Sequence, residues 1–441
     1  MPITNSKLKA VIDNDMCIAC GACIPACPRN QLVPTFSAYR GSNEVGFVAA
    51  ADCDGCNAPC AAVCPSIKID FAEISGQRVS APTRDGWVQS THLGYSPTFR
   101  NDGKSSSGGV LRALAYMALE DDIPVLTLVK EAGDSVEYRP GVLESLRDLD
   151  RMPGSIYHST SFAGAIEQVR DLDRPCLMIA LPCQLAGILN YVTYAEPDLR
   201  SKIKYSCGII CGWQYSYHAH WYFLHQKGLN VTLSDIGYRG EDKVGFLKFR
   251  AGDQVFSYER KDFRNKASAL EYQAAYSTDL NRLRCRVCQD HTNILADIIA
   301  GDAWLSRKRS EKTSVICLRT ENGQALFEQL IARGYLEEED GTYADVIESQ
   351  SENLVYGKTA RKLSRWLQGR GLPITEYRFA QDNDVVRLSL LDRLAFRLEW
   401  LRRHLVRRRY YIAFKFMYLA KRFTRTALNL YRSCVRILKD K

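Results

Sequence analysis

The chemistry-bearing residues of this 441-residue chain are its 16 cysteines, eight of which crowd into two short runs near the start. The first run reads Cys17-Ile-Ala-Cys20-Gly-Ala-Cys23-Ile-Pro-Ala-Cys27-Pro28, and the second Cys53-Asp-Gly-Cys56-Asn-Ala-Pro-Cys60-Ala-Ala-Val-Cys64-Pro65. Three thiolates on one tight loop can each reach a different iron of an iron–sulfur cube, while a fourth on the following helical turn points away. Structural zinc takes four ligands, usually in pairs, and two runs that each end in Cys-Pro fit it poorly.

The spacing of the first run, C-x2-C-x2-C-x3-C-P, is that of bacterial ferredoxins, in which the fourth cysteine serves the other cluster. The crossed assignment is Cys17, Cys20, Cys23 and Cys64 for one [4Fe–4S] cluster, with Cys53, Cys56, Cys60 and Cys27 for the second. The second run carries one extra residue between its second and third cysteines, where Gly55 and Pro59 supply turn chemistry for a wider loop.

Composition limits what surrounds these runs. The chain is 46% hydrophobic and 25% charged, ordinary values for a folded protein of two or three domains. Met1 to Met16 holds no apolar h-region, and no run of about 18 uncharged apolar residues occurs, so neither a signal peptide nor a spanning helix is expected. Clustered cysteines without a leader point to a reducing, cytoplasmic setting, where they serve as metal ligands more often than as disulfides.

Behind the cysteine runs, residues 81–380 alternate strand-like and helix-like apolar patterns. The predicted class is α+β: a small ferredoxin-like domain over residues 1–80, a larger α/β domain over 81–380, and a basic helical tail over 385–441. Gly103–Gly109 (GKSSSGG) runs straight into a helix at VLRALAYMALE, and CLMIAL from Cys176 reads as a buried strand closed by Pro182, with a helix from about Gln184. Another strand covers Thr313–Thr320, followed by the helix ENGQALFEQLIAR and the terminating Gly334. Phe246–Tyr258 reads as a hairpin turning at Gly252-Asp253. No strand leads into G-x-G-x-x-G, so a Rossmann fold has no direct support.

Four features of this body stand out together: Lys104-Ser-Ser-Ser107-Gly108-Gly109-Val110, the turn Ala180-Leu-Pro-Cys183-Gln184, the segment Gly208-Ile-Ile-Cys211, and the run Cys285-Arg-Val-Cys288-Gln-Asp290-His291 onward to Gly301-Asp302. By its own spacing, C-x2-C fits a cluster but is also consistent with zinc, a dithiol pair or unremarkable cysteines. A Gly/Ser loop at a helix start can present backbone N–H groups to an anion, with Lys104 adding charge, although an isolated run of this kind reads more readily as a plain flexible surface loop. In this order and spacing, over residues 15 to about 350, the four features resemble the coenzyme F420 hydrogenase/dehydrogenase beta-subunit family.

That resemblance implies a flavin- and iron–sulfur-dependent oxidoreductase. It implies Cys183, Cys211, Cys285 and Cys288 as ligands of a third [4Fe–4S] cluster, and Lys104, Ser106, Ser107, Gly108, Gly109, Gly301 and Asp302 as contacts of FAD. The chain departs from the family pattern in the apolar neighbours of Cys183 and Cys211, so it speaks more to metal binding than to a substrate pocket. Asp290 and His291 are the catalytic acid/base candidates. Cys176, Cys207, Cys317 and Cys434 fit no ligand pattern and read as buried hydrophobes.

The charge is uneven. The whole chain carries +9, whereas Val385–Lys441 holds 16 Lys/Arg against 3 Asp/Glu, a net of +13. Leu391, Leu394, Leu398, Leu401 and Leu405 form one helical stripe, flanked by Arg402, Arg403 and Arg407–Arg409. The expectation is a helix lying apolar side down on the inner face of a membrane with its cations at the headgroups. A protein partner is the alternative, and nucleic acid is disfavoured for want of a binding module.

The expected function is an oxidoreductase that takes electrons from a ferredoxin-like redox partner through the clusters to FAD and on to an unidentified organic small-molecule substrate. The alternatives are a non-catalytic electron-transfer subunit of a larger complex, or an F420-dependent oxidoreductase or hydrogenase beta subunit.

Overall fold

The computed structural model describes residues 5–49, 53–76, 87–131, 133, 135–239, 245–259, 269–308, 311–379 and 386–423. An eight-stranded mixed sheet organises them. Its strands are β1 (Ser90–Tyr95), β2 (Val125–Lys130), β3 (Tyr138–Leu143), β4 (Cys176–Ala180), β5 (Ile203–Ile209), β6 (Ile298–Asp302), β7 (Ser314–Leu318) and β8 (Glu337–Asp340). They lie in the order β8-β1-β7-β6-β5-β4-β2-β3. The central β2, β4, β5 and β6 run parallel, and antiparallel strands complete both edges.

β4 and β7 are buried along their whole length, which is why both read as unbroken apolar runs. Successive side chains of β4 serve opposite cores. Cys176, Met178 and Ala180 join the core shared with the N-terminal module, while Leu177 and Ile179 join the core beneath helices α1 (Val110–Glu120) and α4 (Glu321–Ala332). The first core is covered by α2 (Pro182–Tyr194), which therefore stands between the sheet and the cysteine runs.

The predicted elements fall where the local chemistry puts them. α2 starts at Pro182, whose missing N–H costs nothing at a first helical position, and the Gln184 side chain accepts the Leu181 N–H at 2.9 Å. Thr320 caps α4 by accepting the Gly323 N–H at 3.2 Å, and Gly334 at φ 71° ends it. Phe246–Ala251 and Gln254–Glu259 pair around Gly252-Asp253 as the hairpin requires, with Asp235–Gly237 as a third strand.

In the module, positive φ at Ala19 (55°) and Gly21 (79°) curls the first cysteine loop inward. A Cβ on Gly21 would lie 2.3 Å from Ala163 Cα, so the loop sits flush against the body. Strand Lys68–Asp70 pairs with Glu376–Arg378 from the far end of the chain, which ties the module down a second time. Residues 77–86, where the first domain boundary was expected, lie outside the described residues.

The tail differs from expectation. α5 (Leu390–Arg407) forms, but its inward face is charged: Arg402 and Arg403, expected beside headgroups, are buried against the body, and Arg407 pairs with Asp15 of the module. The leucine stripe points to solvent except at Leu405. A further helix covers residues 411–423, and the rest of the tail, with Cys434, lies outside the described residues. Among the described residues no helix is long and apolar enough to cross a membrane.

Candidate cluster sites and cofactor cavity

The cysteines gather into three groups, and the influences acting on each thiol identify its neighbours. Cys64 is pushed up to about 12, first by burial and then by the charge of Cys17. Cys23 is raised well above the ordinary thiol range by burial, then by Cys64, Cys20 and Cys17. Cys60 is pushed up to about 11 by burial and then by Cys27, Cys56 and Cys53. The fourth cysteine of each run thus sits with the other run, as the crossed pattern requires. Cys183 is pushed up to about 12 by burial and then by Cys285 and Cys288. Burial followed by Cys183, Cys285 and Cys288 raises Cys211.

Buried thiolates crowded together are unstable without compensating positive charge, and bound iron supplies it. Backbone N–H groups already aim at several sulfurs: Ala19 N at 3.4 Å and Val45 N at 3.3 Å to Cys17, Gln31 N at 3.4 Å to Cys27, and Gln214 N at 3.5 Å to Cys285. Such donors suit thiolate ligands of a cluster. The residues present therefore fit clusters.

Two buried arginines stand between the first group and the body group. Arg282 donates from Nη2 to Cys17 O at 2.6 Å and Asn43 O at 2.8 Å, and from Nη1 to Ile18 O at 3.3 Å. Arg284, 1% exposed, lies with its guanidinium 5.5 Å from the Tyr377 ring centre. Both pull the Cys183 and Cys285 thiols down against the rise from burial. Sequence reasoning passed over them, although Arg284 directly precedes Cys285 and Arg282 stands three residues before it.

Asn293 braces the body group. At φ 55° and wholly buried, it donates from Nδ2 to Ala180 O at 2.9 Å and Ile209 O at 3.4 Å, joining the ends of the two strands that lead into Cys183 and Cys211. Asp290 accepts the Ile294 N–H at 3.2 Å, and burial pushes its carboxyl up to about 6. His291 donates from Nδ1 to Cys211 O at 2.9 Å. Neither lines the cavity described next, so both frame the sulfur group.

A cavity of about 490 Å³ opens at the carboxyl ends of β4, β5 and β6, the usual place for a ligand on a parallel sheet. Lys104, Ser106, Ser107, Gly109, Gly301 and Asp302 all line it, and so does Cys211. Gly108 packs beneath, where a Cβ would come within 2.5 Å of Gly94 O. Gly109 begins α1 at φ 76°, and the helix's first-turn N–H groups, without intrahelical acceptors, open beside Val110 and Leu111 on the cavity wall. A cradle of small residues at a helix start fits a phosphate-bearing cofactor.

The Lys104 ammonium is turned to Asp150, with Oδ1 at 2.9 Å and the backbone O at 2.6 Å, and so pins the loop. Two buried cations line the wall instead: Arg112, paired with Asp102 at 2.6 Å, and Arg239, which donates to Asp302 (3.0 and 3.3 Å), Ser106 O (2.7 Å) and Tyr157 Oη (3.2 Å), 5.1 Å from the Trp304 ring centre. Arg239, Trp304 and Gln350, which also line the cavity, were missed; Trp304, two residues beyond Asp302, was within reach of the motif.

Cys176, Cys207 and Cys317 are buried in β4, β5 and β7, as expected for small hydrophobes.

Residues 173–343 match the family model for the C terminus of the coenzyme F420 hydrogenase/dehydrogenase beta subunit, and residues 10–33 match a 4Fe-4S binding domain. An F(420)H(2) dehydrogenase subunit of Methanosarcina mazei is 22% identical over 342 residues, 74% of this chain and 85% of that protein. The coenzyme F420-dependent sulfite reductase of Methanocaldococcus jannaschii is 22% identical over 336 residues; the match takes in 73% of this chain but 47% of that protein. A chain of the F420-reducing [NiFe] hydrogenase complex from Methanosarcina barkeri shares the fold at TM-score 0.50 and 18% identity, over 67% of this chain and 97% of that one. Residues 173–343 thus carry the C-terminal domain of the coenzyme F420 hydrogenase/dehydrogenase beta subunit, and a 4Fe-4S binding segment stands ahead of the sheet.

Proposed function

We propose that this electron-transfer oxidoreductase is an iron–sulfur flavoprotein with three [4Fe–4S] clusters and FAD. Cys53, Cys56, Cys60 and Cys27 would hold the outermost cluster, Cys17, Cys20, Cys23 and Cys64 the middle one, and Cys183, Cys211, Cys285 and Cys288 the innermost, beside the flavin cavity. When bound, these groups supply one-electron storage in the clusters and exchange between one- and two-electron chemistry at the flavin.

The observation that carries the reading is serial adjacency. Cys23 feels Cys60, Cys20 feels Cys183, and Cys211 forms part of the cavity wall. Each group lies within electrostatic reach of the next, and Cys211 of the last lines the cavity, which is the order an electron entrance needs. Arg282 and Arg284 place permanent positive charge between the middle and inner groups, where it stabilises added electrons. A redox partner protein of ferredoxin type then delivers electrons at the module, and an organic substrate is reduced at the cavity. The relatives' names all carry F420, so a deazaflavin is the first alternative donor to test, and the description of one relative as a subunit favours assembly with a partner enzyme.

Anaerobic purification with iron, sulfide and flavin analysis tests this. About twelve iron per chain together with FAD supports it. About eight iron without flavin removes the body assignment, and zinc in place of iron removes all three clusters.

A further inference from the structure

An amphipathic helix at a protein surface ordinarily buries its apolar stripe and wets its charges. α5 buries Phe396 and Val406, yet it also packs charges inward and leaves most of its leucine stripe outside. Its inner face carries Glu399 bound to Arg286 at 2.9 and 3.0 Å, and Arg402 bound to Asp279 at 3.0 Å through both nitrogens. Its outer face presents Leu391 (76% exposed), Leu394, Leu398 and Leu401 to solvent, and the next helix adds Ile412 (73%) and Phe416 (69%). Buried ion pairs gain little net stability over apolar packing, and an outward leucine stripe gains nothing in water. The arrangement becomes favourable when the outer face is covered.

The charge on that face names its cover. Arg393, Arg397 and Arg408 are exposed among the apolar side chains, whereas Arg409 lies over the Trp221 ring and Lys415 donates to Gln226 of the body. The two acids between residues 390 and 423 are withdrawn, Asp392 to Lys362 at 2.9 Å and Glu399 to the interior. An exposed face that is apolar and exclusively cationic suits an anionic lipid surface, which offers both acyl depth and negative headgroups. A second copy meeting it about a two-fold axis would set the same three cations against themselves. We propose that α5 and residues 411–423 form a peripheral docking face for anionic membranes, with the buried ion pairs serving to hold the leucine stripe outward. The proposal is independent of the flavin and cluster assignments.

The test uses the full chain, purified anaerobically, and vesicles of phosphatidylcholine with or without about one part in three phosphatidylglycerol. The expected result is co-sedimentation with the anionic vesicles alone, weakened when salt rises from about 0.05 to about 0.5 M. R393Q/R397Q and, separately, L391Q/L394Q should each weaken it at least about tenfold. Both variants change exposed side chains only, and an unchanged melting temperature and iron content will verify the fold. Failure of the wild type to bind anionic vesicles overturns the proposal, as does binding that both variants retain. A dimer in light scattering that L391Q/L394Q splits, without vesicle binding, assigns the face to a second copy and also overturns it.

Discussion

Gly187 of α2 lies directly against Cys20 of the module: a Cβ built on it would sit 2.8 Å from the Cys20 Sγ and 3.0 Å from its Cβ. One absent methyl group thus sets how closely the first cysteine loop approaches the helix that begins with Pro182-Cys183. The same closeness lets Cys20 feel Cys183.

Replacing Gly187 by valine should push the loop away and disorder Cys20 without touching the cavity. The expected outcome is loss of about four iron per chain with flavin content kept. Iron and flavin both at wild-type levels would mean that the loop yields without consequence, and that the close approach does not matter for cluster assembly.

The Asp279 carboxylate is fully buried, held by Arg402 through both oxygens and by Lys421 at 3.0 Å. Arg402→Ala removes the principal partner from a carboxylate that cannot reach water, a change that costs about 3–5 kcal/mol. R402M/D279L removes both charges and should recover much of that loss, since Lys421 is partly exposed and can turn to solvent. Denaturation midpoints of the three proteins check it; a double variant no more stable than Arg402→Ala would show that an unpaired buried charge is not the source of the loss.

These cases mark what the sequence could and could not say. The cysteine runs, α1, α2, β4, β7 and the hairpin were legible because each is set by local spacing, capping or an unbroken apolar run. The Gly/Ser loop was legible as a helix entrance. The buried Arg239 of the cavity was not, because it is brought to Ser106 from 133 residues away by tertiary packing alone. The leucine stripe of α5 was read correctly as a stripe and wrongly as to what its arginines do. Periodicity gives the two faces of a helix, whereas the partners that turn one face inward, Arg286 and Asp279, stand 113 and 123 residues upstream.

A histidine network behind the cavity makes stability depend on pH. His158 donates from Nε2 to Val136 O at 2.9 Å, which leaves Nδ1 to accept the Tyr238 hydroxyl at 2.7 Å; His220 Nε2 then donates to the same oxygen at 2.6 Å. Burial lowers His158 and His218 from the ordinary 6.5 to about 4, and holds His220 well below its ordinary value too. Between pH 6.5 and 4 the unfolded chain therefore binds more protons than the folded one, and stability falls as the pH falls. His291 is lowered as well, so Asp290, raised to about 6, and Glu44, also raised, oppose as two groups against four. Stability should fall steadily from pH 7 to about 5, by up to about 1.4 kcal/mol per histidine per pH unit, and the melting temperature should fall with it. Tyr238→Phe should destabilise the fold at neutral pH by about 1–3 kcal/mol, because it strips both rings of their shared partner. A melting temperature flat over this range would show that the buried rings do not govern acid stability.

The cavity separates two cations that look alike in sequence. The Lys104 ammonium reaches an Asp150 side chain that is itself 88% exposed, and such surface pairs contribute about 0–1 kcal/mol. Arg239 is buried and joins β6, through Asp302, to the loop carrying Ser106. Lys104→Ala should accordingly change flavin retention by less than about threefold. Asp302→Asn leaves the Arg239 charge without its carboxylate and should loosen the wall, lowering flavin retention about tenfold or more while iron stays constant. Because Cys211 lines the same cavity, constant iron is the discriminating result. Parallel loss of iron in Asp302→Asn would mean that the cavity and the inner sulfur group fold as one unit, and that Arg239 supports both.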